Sequence, residues 1–171
     1  MPENADTAWR QRSIGRWLQA AAASSERDLL VTGQSPLGEV LAAPCAPHLD
    51  AIAVALLEVE DRSRFVRLEQ RDPGKWSREA KRNFVGWARW HRAHAADPHH
   101  APEVLTTGAW PAMRWDRWSG WQAGDPRWCT DVFNTSRRTV EESAGAVADW
   151  IARVRSDSAW PLRSGWGCAE H

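Results

Sequence analysis

Three arginines, Arg64, Arg67 and Arg71, recur at i, i+3 and i+7 directly downstream of an apolar run, and the chemistry they offer is that of anions. On a helix that spacing places all three guanidinium groups on one stripe. A guanidinium grips a phosphate through a two-pronged, charge-assisted fork. Ligands of open α/β sheets sit outside the carboxyl ends of the strands, which is where this stripe begins. The competing reading of the same residues is a solvated basic face, with Glu60 and Arg64 as an i, i+4 pair.

Two other sets could do chemistry. His91 and His94 stand at i, i+3 on a helix with Asp97, His99 and His100 close behind, a pattern from which a zinc site is conceivable. Against it, His91 falls on the apolar face as a core histidine and the others decorate the helix end. Trp115, Trp118 and Trp121, with Trp110 and Trp128, could form an aromatic platform for sugar rings, bases or a peptide. Packing beneath a long loop is the alternative use of the same rings.

The elements that must position these groups can be read in order. Residues 6–25 predict a helix with Ile14, Trp17, Leu18, Ala21 and Ala22 on its apolar face. Residues 28–32 predict a short buried strand closed by Gly33, and residues 39–43 a helical turn before Pro44 and Pro47. Residues 51–59, apolar without alternation, predict a strand covered on both faces of a parallel sheet. The Arg-bearing helix follows, then a turn at Asp72, Pro73 and Gly74, and a helix capped by Ser77 that buries Phe84, Trp87, Ala88, His91 and Ala95. Residues 99–127 lose all periodicity under repeated Pro and Gly. A strand at 128–133 leads to Thr139, Val140, Glu141 and Glu142, a capping box for a last helix that buries Val140, Ala144, Val147, Ala148, Ile151 and Val154. Residues 156–171 predict a frayed tail.

Composition narrows the partners. The 171 residues carry 22 basic and 22 acidic side chains, so no global field recruits nucleic acid or an anionic membrane, and any phosphate site must be local. No apolar run approaches the roughly 20 residues of a membrane span, and the first residues show no signal region, which predicts a cytoplasmic protein. Cys45, Cys129 and Cys168 are odd in number and widely spaced, a pattern of reduced thiols.

This order of elements resembles the carboxyl-terminal two thirds of a P-loop kinase of the nucleotide-kinase or shikimate-kinase type, over residues 5–155. Three stretches carry the likeness. Leu29, Leu30, Val31, Thr32, Gly33 and Gln34 are similar to the strand that ends near the transferred phosphate. Val59, Glu60 and Asp61 with Arg64, Arg67, Leu68 and Arg71 resemble the approach to the mobile lid, here residues 60–76. Phe133, Asn134, Thr135 and Ser136 before the capping box resemble the last strand and its turn beside the adenine. GQSPLGEVLAAP, WHRAHAADP and GDPRW resemble a poorly characterised bacterial group of these proteins. The likeness implies an α/β fold with a three-layer parallel sheet, truncated at the N-terminus to about three strands with helices on both faces. It implies ATP and Mg²⁺ as cofactors, and a small-molecule or nucleotide acceptor. Arg64, Arg67 and Arg71 would be a phosphate clamp, Gln34 would orient water, Mg²⁺ or acceptor, and Asn134, Thr135 and Ser136 would lie near the base.

The defining motif of that family, GxxxxGK followed by Ser or Thr, is absent. The only lysines, Lys75 and Lys81, follow no glycine-rich turn. The missing strand would lie between those at 28–32 and 51–59, leaving two edges unpaired. The sequence therefore predicts that Met1 is an internal start, or else that the domain is a decayed remnant. As given, the chain is expected to be inactive as a kinase. Unpaired edges also predict a different role, a non-catalytic interaction protein that joins another chain, or a second copy, by strand addition.

Overall fold

The computed structural model describes residues 7–24, 28–156, 162–163 and 166. In chain order the elements are α1 (Thr7–Ala22), α2 (Leu37–Ala42), a 3₁₀ turn (Ala46–His48), β1 (Ala51–Ile52), β2 (Ala55–Glu58), α3 (Asp61–Arg71), α4 (Arg78–Ala96), α5 (Glu103–Thr106), a second 3₁₀ turn (Trp115–Arg117), β3 (Asp131–Asn134), α6 (Val140–Ser156) and β4 (Leu162–Arg163). The fold is mixed α/β. Its described residues divide into two compact units. One holds the chain up to Ala53, His94–Cys129 and β4; the other holds Val54–Ala93 and the chain from Thr130 through α6.

In the first unit α1 buries Ala8, Gln11, Ile14, Gly15 and Leu18, a stripe at helical spacing. Gln11 is wholly enclosed, yet both ends of its amide are satisfied: Nε2 donates to the Leu105 carbonyl at 2.9 Å and Oε1 accepts the Trp110 N–H at 2.7 Å. Arg10 reaches across to α2 and clamps the fully buried Glu39 carboxylate through Nε and Nη2. Arg117 caps the other end of α2, donating to the Leu41 carbonyl in its last turn and to the carbonyls of Ala43 and Pro44 just beyond it.

The centre of this unit is a knot of aromatic rings. Trp118 donates Nε1 to the Gly38 carbonyl at 2.8 Å, and Trp128 donates Nε1 to the His94 carbonyl at 2.9 Å. The buried His94 ring meets Trp128 edge-on at 5.1 Å between centroids. Only glycine fits at position 38. A Cβ there would lie 2.9 Å from His94 Nε2, 2.9 Å from the Trp128 ring and 3.0 Å from Trp118.

In the second unit β2 and β3 pair in parallel, Ala55 opposite Asp131 through Glu58 opposite Asn134. Side chains alternate, so Ala55, Leu57, Asp131 and Phe133 share one face and Leu56, Glu58, Val132 and Asn134 the other. Trp150 of α6 is fixed to the first face by a 2.7 Å bond from Nε1 to Asp131 and by an edge contact with Phe133. Arg92 of α4 is ion-paired with Glu58 on the second. The turn after α3 is closed by Glu69, whose carboxylate accepts the Gly74 N–H and the Lys81 ammonium. Gly74 sits there at φ +70°, the left-handed region that glycine enters without strain.

Several expectations need correction. Residues 51–59 do not form one strand: Ala53 and Val54 separate β1 from β2, and β1 pairs antiparallel with β4. Residues 28–32 form no strand, and Leu29, Leu30 and Val31 are 42%, 62% and 37% exposed, because no ladder partner reaches them among the described residues. The parallel sheet therefore has two strands there, not three. Most of the expected tail lies outside the described residues; of those described, Leu162 is buried against Ile52 and Trp166 meets Trp121. In α4 the deep positions are Val85, Trp90 and His94, while His91 is half-buried between Trp87 and Trp90. In α6 the buried anchor is Trp150; Val140 is 79% exposed and Ala144 and Ala148 face outward, since a two-stranded sheet covers only a narrow stripe of the helix. The capping box is present, with Glu142 N–H on Thr139 Oγ1 and Thr139 N–H on the Glu142 carboxylate.

Candidate anion-binding site

Parallel pairing sets the carboxyl ends of β2 and β3 side by side, and α3 and α6 leave from those ends. Between them lies a cleft of about 330 Å³ lined by Glu60, Asn134, Ser136, Arg137 and Arg138. Its walls are stitched together by short bonds. Glu60 N–H donates to Ser136 Oγ at 2.8 Å, Ser136 N–H to Asn134 Oδ1 at 2.9 Å, and Thr135 N–H to the Glu58 carbonyl at 2.7 Å.

The predicted arginine stripe divides at this point. Arg67 donates Nη1 to Thr135 Oγ1 and Nη2 to the Thr135 carbonyl, so it is carried to the end of β3. Arg64 donates Nη2 to the Val59 carbonyl at the end of β2, while its Nε is enclosed without a hydrogen-bond partner. Burial pulls the Arg64 guanidinium below its usual range, Asp61 draws it up again, and Arg67 presses it down. Arg71 is elsewhere, bonded to Asp72 at 2.7 Å and stacked over Trp76. Of the predicted set, then, Arg67 meets Thr135 at the end of β3, Arg64 is held at Val59 beyond the end of β2, Asn134 and Ser136 line the cleft, and Arg71 lies apart.

Gln34 belongs to the other unit, half-buried before α2, with its Oε1 enclosed and unbonded. Sequence reasoning overlooked Arg137 and Arg138. The signal was available: both stand just before a helix whose amino-terminal end is already positive, where cations are disfavoured unless an anion is to be held. Neither has an ion pair among the described residues. The cleft thus combines Arg137 and Arg138, on the approach to α6, with Asn134 and Ser136, and Glu60 is the one carboxylate in its lining.

The other candidates resolve differently. Trp118, Trp121 and Trp128 are 2%, 6% and 5% exposed, so they are core rings, whereas Trp110 and Trp115 are half-buried. Among the described residues no three His, Cys, Asp or Glu side chains come together to hold a metal; in particular His94 is walled in by Trp118 and Trp128 while His99 and His100 are exposed. No family model, curated protein or solved structure matches the chain.

Proposed function

We propose that the cleft at the ends of β2 and β3 binds phosphate groups of a nucleotide, and that the chain is the arginine-bearing part of an ATP-dependent phosphotransferase of the P-loop kinase type. The observation that carries this reading is that Arg137 and Arg138 line the cleft with Asn134 and Ser136, while Arg64 and Arg67 are bonded at Val59 and Thr135, the carboxyl ends of the same two parallel strands. Helices tied to opposite faces of that sheet, α4 through Arg92 and α6 through Trp150, support the three-layer architecture the reading requires. Arg137 and Arg138 are the first phosphate ligands. Arg67 and Arg64 exchange their carbonyl partners for phosphate oxygens when ligand enters, stabilising charge as it develops. Glu60, with the hydroxyl of Ser136, would hold Mg²⁺, which arrives on the nucleotide and neutralises its phosphates.

Because GxxxxGK is missing from the 171 residues, the chain binds nucleotide weakly and transfers nothing alone. The acceptor is a small hydroxyl compound or a nucleotide. This reading places the chain in the cytoplasm; no helix among its described residues is long and apolar enough to cross a membrane.

Titration calorimetry with Mg-ATP, ADP and pyrophosphate tests the reading. Saturable binding with a dissociation constant of about 1 mM, equivalent to about −4 kcal/mol, is expected. It should be lost in Arg137→Ala/Arg138→Ala and kept in Arg71→Ala. Absence of saturable heat with all three ligands, or equal binding by the double variant, sinks the proposal.

A further inference from the structure

The outer edge of β2 points to a second copy of this chain. Hydrogen bonding to β3 uses Val54, whose carbonyl accepts the Asp131 N–H, and Glu58, whose carbonyl accepts the Thr135 N–H. In a parallel ladder the N–H and C=O of one residue point to the same side, and successive residues alternate. The main-chain groups of Ala55 and Leu57 therefore point away from β3, and among the described residues no strand pairs with that edge. Leu57 is 55% exposed.

Natural edges are blunted by lysine, proline, bulges or inward charges. This one presents Ala55, Leu56 and Leu57 in succession, and its nearest charged residue, Glu58, is paired with Arg92. β3 is less suited, since its edge offers Val132 between a carboxylate, Asp131, and the cleft residue Asn134.

We infer that two copies associate through β2 about a two-fold axis, the strands running antiparallel with Leu56 opposite its own equivalent. That register sets Ala55 of one copy against Leu57 of the other, twice. Each such pair exchanges both main-chain bonds, so the edge is self-complementary and closes on itself, as an isologous contact must. The two parallel pairs then become one four-stranded sheet, with the Leu57 side chains brought together on the face that α6 partly covers. A formal net charge of zero on each copy offers no long-range repulsion. The inference does not depend on nucleotide binding.

Sedimentation equilibrium over a concentration series reads the result. The mass is expected to rise from 19.3 kDa toward twice that value. Leu57→Pro removes an outward N–H that no bond inside the chain uses, and with it two of the four bonds across the axis, so association should weaken about thirtyfold. Leu57→Lys keeps the backbone and adds two like charges at the axis, and should do the same; it decides the matter if the proline variant fails to fold. Hydrogen exchange at Ala55 and Leu57 should slow as the dimer forms. A wild-type chain that stays monomeric at its solubility limit overturns the inference. So does a dimer that Leu57→Lys leaves intact, or one in which those two amides exchange at the monomer rate.

Discussion

Arg67 and Thr135 are 68 positions apart, and the arginine fork takes both the hydroxyl of Thr135, at 3.2 Å, and its carbonyl, at 2.7 Å. The same hydroxyl donates to the Glu58 carbonyl at 3.0 Å, so one side chain couples the end of β2, the end of β3 and α3. Thr135→Val keeps the shape and removes both hydroxyl bonds at a site only 8% exposed. A loss of about 2 kcal/mol in urea unfolding is expected, roughly 1 kcal/mol for each bond. A change within the error of the measurement would show that the fork carries no stability there.

Gly38→Ala should be among the more damaging small substitutions. The added methyl meets His94, Trp118 and Trp128, and two of those rings are held by hydrogen bonds to main-chain carbonyls. A cost of about 1–3 kcal/mol follows from overpacking. Gly33→Ala is the control, because nothing lies within 4 Å of a Cβ there. Equal melting temperatures for the two variants would contradict this account of position 38.

The buried Arg10 and Glu39 pair predicts a non-additive result. Arg10→Leu leaves the fully enclosed Glu39 carboxylate without its ion-pair partner and should cost about 3–5 kcal/mol. The double variant Arg10→Leu/Glu39→Leu should recover much of that loss, since two apolar side chains need no partner. A double-mutant cycle in denaturant measures the coupling, and additive losses would refute it.

Stability should depend on pH through His94. Burial pushes its imidazole down to about 4, from the usual 6.5. Between those values the unfolded chain binds the proton and the folded chain does not, so stability is complete above the higher value and falls as pH drops toward the lower one. The loss amounts to about 3 kcal/mol near pH 4. Denaturant unfolding at neutral and acid pH should show that the difference between the two shrinks by this amount in His94→Gln, whatever that variant's stability at neutral pH. An unchanged difference would assign the acid sensitivity to other groups.

Much of the local structure was legible in the chain. The apolar stripe of α1, the Ser77 cap of α4 and the capping box of α6 follow from spacing and residue type, because helices are built from neighbours in sequence. The absence of GxxxxGK is likewise a fact of the sequence.

What the sequence could not settle was pairing. Residues 28–32 and 51–59 are both apolar runs fit for a buried strand, but a strand exists only where another supplies its hydrogen bonds, and that depends on distant segments. One run stayed exposed; the other broke at Ala53 and Val54 to join two different sheets. The same holds for side chains whose role depends on what surrounds them. Spacing alone allowed Trp115, Trp118 and Trp121, with Trp110 and Trp128, to be a platform, and tertiary packing put Trp118, Trp121 and Trp128 in the core. It gave three arginines one stripe, and packing sent Arg64 and Arg67 to the strand ends while Asp72 and Trp76 kept Arg71. Local periodicity determines which face a residue lies on. Only the folded chain decides what that face meets.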